Sequence, residues 1–355
     1  MNDNYQNKEY QEPDYYAMYT EEKLKEARST FSRFHLALFL YTALAYAAVI
    51  IAEIIMIAVM GLNEAAALIE NNVYVNALFS FLPMYLVGFP IFFFVMRGMK
   101  TMKREKTKMP VSEFLSLFLI SQVAMIVGSI IGETLNGFIG VFKGESVTNQ
   151  TDELISVMPT WLIFAVVVII APIIEELIFR KFMIDRFSRY GDSIAITVSA
   201  ISFGLFHGNF YQFFYAAMLG FILGYMYSKT RNVIYPVLLH MIINFTGSIL
   251  SLLVSERLVE FETMLTDLAE GIQVDMARFL QNMMIVGSYS IIQYALIGGG
   301  IVMLVTFIRK RKYKIKQSWE YKIPGEQIAS TVVCNTGTIM YLVLSAILFT
   351  VSILV

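Results

Sequence analysis

Nine runs of apolar residues, each roughly long enough to cross a bilayer, restrict what this chain can fold into. A transmembrane helix needs about 20 apolar residues, and in lipid it satisfies every backbone hydrogen bond within its own segment. Of the 355 residues, 57% are hydrophobic and 15% are charged, which is more apolar than an ordinary soluble domain. The sequence therefore predicts an all-α polytopic membrane bundle of about eight or nine transmembrane helices. The predicted spans are 36–61, 76–97, 113–133, 158–181, 193–209, 212–229, 232–254, 283–308 and 338–355.

Basic residues alternate between the loops of this predicted bundle. The N-terminal tail carries five Lys or Arg residues, the loop 97–110 six and the loop 309–337 seven, whereas the loop 62–75 carries none. Lys and Arg are concentrated in cytoplasmic loops, so the pattern predicts a cytoplasmic N-terminus and an external C-terminus. Membrane topology and attraction to anionic lipid explain these basic residues. The basic residues therefore do not indicate nucleic-acid binding.

This topology divides the chain into four segments. They are a polar cytoplasmic N-terminal tail at 1–34, a transmembrane bundle at 35–308, a basic cytoplasmic loop at 309–337 and a C-terminal transmembrane helix at 338–355. The first apolar run follows a polar tail, so we expect a retained membrane anchor in an integral protein of a bacterial cell membrane. The acidic stretch 255–281 has apolar residues at helical spacing, which predicts an amphipathic helix on the outer surface.

Two adjacent carboxylates, Glu175 and Glu176, end an otherwise apolar run. No charged residue occurs from Trp161 to Ala171, and a charge at membrane depth costs about 3 kcal/mol or more, so such residues are usually functional. Arg180 lies four residues after Glu176, a spacing that allows an ion pair on one helix face. The alternative is an ion-paired helix end at the membrane interface.

The chain has three histidines, and two of them lie in apolar predicted helices. His207 and Glu175 are equally distant from Gly191, so a tight turn there would place them at the same depth, facing each other. His240 precedes Asn244 by one helical turn, on the same face. Each histidine taken singly could instead be a packing residue with a hydrogen bond, and we expect His35 to lie at the interface.

These residue types support two kinds of hydrolytic chemistry. A carboxylate paired with a histidine can deprotonate water, while a second histidine with an amide can stabilise an oxyanion. Alternatively, Glu175, His207 and His240 could hold a zinc ion with an open position for water. The single cysteine, Cys334, excludes a cysteine-based zinc site, and the sequence has neither an H-E-x-x-H nor a G-x-S-x-G motif.

Three motifs give the chain a resemblance to a known family. Glu175, Glu176 and Arg180 match E-E-x-x-x-R, Phe203 and His207 match F-x-x-x-H, and His240 and Asn244 match H-x-x-x-N. In this order, and over residues 158–250, they resemble the CPBP (CAAX protease and bacteriocin-processing, or Abi) intramembrane proteases, which include the type II CAAX prenyl endopeptidases.

The resemblance implies a CPBP-type catalytic core at 158–250 and a role for each motif residue. Glu175 and His207 would activate water, His240 and Asn244 would stabilise the oxyanion, and Glu176 and Arg180 would support the site. The family has been described both as glutamic proteases and as metalloproteases. Because Asn244 is present and no further ligand is visible, we favour a metal-free mechanism over a zinc-dependent one.

The expected substrate is a membrane-embedded or membrane-associated peptide or protein, hydrolysed in the cytoplasmic half of the bilayer. The family name does not require prenylated substrates. Two alternatives are a non-catalytic family member, acting as a bacteriocin-immunity or scaffold protein, and a transporter that uses the same buried acids. Glu53 and Glu133 are further carboxylates that a transport pathway could use.

Overall fold

The computed structural model describes residues 21–311 and 319–354, and within these ranges the regular secondary structure is entirely helical. Lys312–Ser318 of the predicted basic loop and residues 1–20 of the predicted tail lie outside the described residues. The helices are α1 (Glu21–Met60), α2 (Leu62–Asn71), α3 (Val73–Met96), α4 (Val111–Lys143), α5 (Gln150–Val157), α6 (Thr160–Tyr190), α7 (Asp192–Phe206), α8 (Phe210–Thr230), α9 (Ile234–Ala269), α10 (Met276–Arg309), α11 (Ile328–Val332) and α12 (Thr336–Leu354).

Seven of the described helices are long and apolar enough to cross a membrane, namely α1, α3, α4, α6, α9, α10 and α12. The predicted all-α membrane bundle is therefore confirmed, and the protein is an integral membrane protein. Of the nine predicted spans, the fifth and sixth correspond to α7 and α8, which are not among the seven. Helix α7 has 15 residues and measures about 22 Å, less than the roughly 30 Å hydrocarbon core. The orientation of the termini stays a prediction.

Helices α6, α7, α8 and the first half of α9 form the centre of the bundle. Helices α1, α3 and α12 pack together on one side, and α4 and α10 pack on the other. Glycines let α7 and α8 approach closely, because a Cβ at Gly204 would lie 2.8 Å from the Phe213 carbonyl oxygen. A Cβ at Gly220 would likewise lie 2.9 Å from Ala200 Cα.

One sequence expectation at the edge of the bundle, the position of His35, differs from the structure. His35 is buried, with Nε2 3.2 Å from Ser202 Oγ and Nδ1 3.0 Å from Thr338 Oγ1, so it joins three helices and does not lie at the interface. Its helix α1 already starts at Glu21, so the described part of the predicted 1–34 tail is helical. The helix is amphipathic there and buries Phe31 and Phe34.

The amphipathic surface helix predicted at 255–281 is, as far as Ala269, the second part of a longer helix. Residues up to Ala269 continue α9, which has 36 residues and is about 54 Å long, well beyond the hydrocarbon core. Helix α10 returns beside it, with the rings of Phe261 and Phe279 stacked at 5.1 Å. The acidic residues therefore belong to the end of a helical hairpin.

The turn between α6 and α7 is built on a buried charge. Gly191 has φ +121°, a conformation that favours glycine. The following Asp192 is the first residue of α7, and its fully buried carboxylate lies 2.9 Å from Arg104 Nη1 and 2.6 Å from Arg231 Nη2. Some of the basic residues that indicate topology thus also hold helix ends together.

We expect Asp192→Asn to lower the free energy of unfolding by about 2 kcal/mol, because hydrogen bonds to a charged group are replaced by weaker neutral ones. Thermal unfolding of the purified protein in detergent measures the change. The matched control is Glu320→Gln, whose side chain is 38% exposed in its pair with Arg189 and should change stability by less than about 1 kcal/mol. Equal effects of the two substitutions would contradict this account.

Candidate active site

Helix α6 carries the two adjacent glutamates in a short α-helical piece, Ala171–Glu176, between two π-helical stretches. These stretches are Phe164–Ile170 and Leu177–Ile184. A proline inside a helix removes a donor and clashes with a preceding carbonyl, and Pro172 does so here. The wider π-helical turns, which are rare and occur often at functional sites, accommodate it.

Asn244 satisfies a backbone carbonyl that Pro172 leaves without its donor. In a π-helix each N–H bonds the carbonyl five residues before it, as the Ala171 N–H does with the Val166 carbonyl oxygen. The next bond would join residue 172 to Val167, but proline has no N–H. Asn244 Nδ2 donates to the Val167 carbonyl oxygen at 2.9 Å instead, which ties the third motif to the helix of the first.

Glu176 is fully buried between a guanidinium and an imidazole. Arg180 Nε lies 2.9 Å from Glu176 Oε2, with both side chains 0% exposed, so the structure contains the predicted i,i+4 pair. On the other side, His240 Nδ1 donates to Glu176 Oε1 at 3.0 Å. Since a carboxylate cannot remain charged in an apolar interior without partners, these two contacts explain how Glu176 is accommodated.

Glu175 is the more accessible of the two acids, with a side chain that is 17% exposed. Its Oε2 lies 3.7 Å from His240 Nε2, so His240 stands between both carboxylates. No hydrogen bond or ion pair joins Glu175 to His207 in the described ranges. The equal distance of Glu175 and His207 from Gly191 could predict that they lie at the same depth in the membrane. It could not predict the direction in which Glu175 points around the helix axis, because the π-helical stretch Leu177–Ile184 changes that direction.

His207 directly follows α7, and its ring turns back onto that helix. Nδ1 lies 2.9 Å from the Phe203 carbonyl oxygen. A carbonyl only accepts, so Nδ1 carries the hydrogen and the neutral ring keeps a free lone pair on Nε2. Phe203 packs edge-to-face against His207 at 5.0 Å and His240 at 5.6 Å. It therefore separates and orients the two imidazoles.

Three groups near the site were missed by the sequence reasoning. Ser199 accepts a hydrogen bond from Arg180 Nη1 at 3.1 Å; its spacing of four from Phe203 and eight from His207 was the available signal. Tyr41 and Tyr85 lie within electrostatic range of the Glu175 carboxylate. They come from α1 and α3, so no local pattern could have placed them there.

The proposed zinc ligands were tested against this geometry. Glu and two His are suitable ligand types, but no three His, Cys, Asp or Glu residues of the described chain are grouped as a metal site would require. One nitrogen of His240 is already bonded to Glu176. The residues as arranged do not fit a zinc ion held by Glu175, His207 and His240.

Comparison with known proteins finds a family match for the central segment of the chain. Residues 157–246 match the family model described as type II CAAX prenyl endopeptidase Rce1-like. The match supports a CPBP-type family for this segment. The segment contains all three motifs and agrees with the resemblance predicted over 158–250.

A curated relative supports the CPBP assignment. The "Putative membrane peptidase YdiL" of Bacillus subtilis (strain 168) is 24% identical over 106 residues, which cover 30% of this chain and 43% of the relative. The match thus spans less than half of that relative's length. No solved structure matches the chain. The CPBP-type segment supports a membrane protease in general.

Proposed function

We propose that this protein is an intramembrane endopeptidase that hydrolyses a peptide bond with activated water in the cytoplasmic half of the membrane. The observation that carries the proposal is the buried chain of contacts from Glu175 through His240 and Glu176 to Arg180. Burying each of these ionisable groups costs several kcal/mol, and here they lie beside a partly exposed carboxylate. An active site for proton transfer requires them.

The two glutamates have different roles in this proposal. Glu176 has contacts on both of its oxygens, with His240 and Arg180, and therefore acts as a support. Glu175 is partly exposed and its Oε2 lies 3.7 Å from His240 Nε2, so it has room to accept a proton from water. Glu175 is thus the general base, with the His207 Nε2 lone pair as a second acceptor that orients the water.

The reaction balances with these groups alone. The water oxygen attacks the carbonyl carbon of the peptide, and its proton passes to Glu175. The second amide hydrogen of Asn244 donates to the resulting oxyanion, and His240 does so from Nε2 when the ring carries a hydrogen there as well as on Nδ1. Glu175 then returns the proton to the leaving nitrogen as the C–N bond breaks. The intermediate would be stabilised most where bulk water is excluded.

The substrate class follows from the position of the site. A peptide must reach side chains that lie inside a helical bundle, so we propose a membrane-embedded or membrane-associated segment that enters from the cytoplasmic side. The basic loop 97–110 would face anionic lipid there.

The metal-free version of the proposal predicts cleavage that survives a chelator. The test reconstitutes purified protein in liposomes with a membrane peptide labelled at both ends. We expect the initial rate with EDTA to stay within about twofold of the untreated rate, because Glu175 and its neighbours activate the water without a Lewis acid. Loss of cleavage with EDTA and its return with added zinc would contradict the metal-free mechanism and favour a metalloprotease.

A further inference from the structure

Ser199 lies in the middle of α7, two helical turns before His207, and is completely buried. Its Oγ accepts a hydrogen bond from Arg180 Nη1 at 3.1 Å and donates one to the Phe179 carbonyl oxygen at 2.7 Å. A hydroxyl has one hydrogen and two acceptor positions, so both bonds form together. Ser199 therefore joins α7 to the part of α6 that follows the glutamates.

The Arg180 guanidinium depends on this hydroxyl. Nε is ion-paired with Glu176 at 2.9 Å, but neither Nε nor the buried Nη2 makes a hydrogen bond in the part of the chain that is described, so the guanidinium is hydrogen-bonded there through Nη1 to Ser199. The ring of Phe203 lies 4.8 Å from Cζ; it attracts the cation but does not fix its rotation. Without Ser199 Oγ, both terminal nitrogens would be buried and unbonded, a costly arrangement that rotation of the guanidinium would relieve.

The second hydrogen bond of Ser199 anchors the backbone at the same point. The carbonyl of Phe179 belongs to the π-helical stretch Leu177–Ile184, and a carbonyl can accept two hydrogen bonds. Ser199 thus holds both the side chain of Arg180 and the turn of helix from which that side chain projects.

We propose that Ser199 is a positioning residue for the active site. It orients Arg180, Arg180 orients Glu176, and Glu176 fixes the hydrogen on His240 Nδ1 and directs Nε2 toward Glu175. The inference rests on the proposed function, because it assigns Ser199 an effect on the catalysed reaction. Ser199 contacts no reacting group, so its loss lowers kcat while substrate binding, and hence KM, is retained.

The test measures kcat and KM for Ser199→Ala in the liposome assay. We expect kcat to fall about tenfold, the size expected for a lost hydrogen bond to a charged group, with KM within about twofold of the wild type. Ser199→Thr, which keeps the hydroxyl, should recover most of the rate. The matched control is Ser202→Ala, because Ser202 is a buried serine on the same helix whose hydroxyl lies against His35. The kcat of this variant should stay within about twofold of the wild-type value.

Several outcomes would overturn the inference. One is that Ser199→Ala and Ser202→Ala reduce kcat equally, or that kcat falls only in proportion to the folded fraction seen in thermal unfolding. Another is that Ser199→Thr recovers nothing although it is folded. Glu175→Gln is measured in the same assay. Cleavage that persists in this variant contradicts the proposed function itself. If Glu175→Gln is inactive, a negative result for the Ser199 variants overturns only the inference about Ser199.

Discussion

Glu175→Gln is expected to lower kcat for peptide cleavage by about 1,000-fold, within the range that a positioned general base contributes. Glutamine has nearly the same shape but cannot take a proton from water. The 3.7 Å separation from His240 Nε2 is too long for a hydrogen bond, so the substitution removes little stabilising interaction. Abundance in the membrane and the unfolding temperature should therefore remain close to those of the wild type.

Glu53→Gln is the matched control for this prediction. Glu53 lies in α1 and is a half-buried carboxylate of the membrane region, which a transport pathway would use and the protease mechanism does not. The kcat of Glu53→Gln should equal that of the wild type. If Glu176→Gln reduced kcat per folded molecule more than Glu175→Gln did, the roles of base and support would have to be exchanged.

Arg180→Met is expected to lower the free energy of unfolding by about 3–5 kcal/mol, the cost of removing one partner from a buried ion pair. Methionine fills part of the space but leaves Glu176, which is 0% exposed, with only His240 as a partner. Denaturation of the purified protein in mixed micelles measures the loss. Adding Glu176→Gln to Arg180→Met should restore part of the stability, because the uncompensated buried charge is then gone.

Arg257→Met provides the control for the buried pair. Arg257 is 45% exposed and pairs with Glu260 three residues later on α9, so its loss should cost less than about 1 kcal/mol. A change of less than 1 kcal/mol for Arg180→Met would contradict the view that this pair stabilises the site.

The all-α membrane fold was predictable because it depends on local properties of the sequence. The length and hydropathy of each run determine whether it can span a bilayer, and Glu176 and Arg180 are close in the structure because four residues separate them on one helix. Local properties did not predict the end of α9. The change from apolar to acidic residues after position 254 suggested a new helix, but α9 continues to Ala269.

The contacts of the site were harder to predict because they depend on how helices are rotated relative to one another. The π-helical stretches on either side of Ala171–Glu176 change the number of residues per turn, so a face calculated for a regular helix does not hold. His240 consequently contacts both glutamates, and His207 does not pair with Glu175. The bond from Asn244 to Val167 could be foreseen only by asking which carbonyl Pro172 leaves without a donor.

The burial of charged residues at helix ends was a second feature that the sequence did not predict. Arg231 lies between two predicted spans and Asp192 next to the predicted turn at Gly191, yet both are buried where α6, α7 and α8 meet. A loop charge is found to be structural only when the helix ends around it are known.

Mapping new peptide ends in membrane proteins by mass spectrometry tests the central claim most directly. Cells lacking the gene would be complemented with the wild type, with Glu175→Ala or with His207→Ala, each matched for abundance in the membrane. The account predicts a set of new ends, in membrane or membrane-adjacent segments on the cytoplasmic side, that is present only with the wild type. The same ends at wild-type levels in both variants would contradict it.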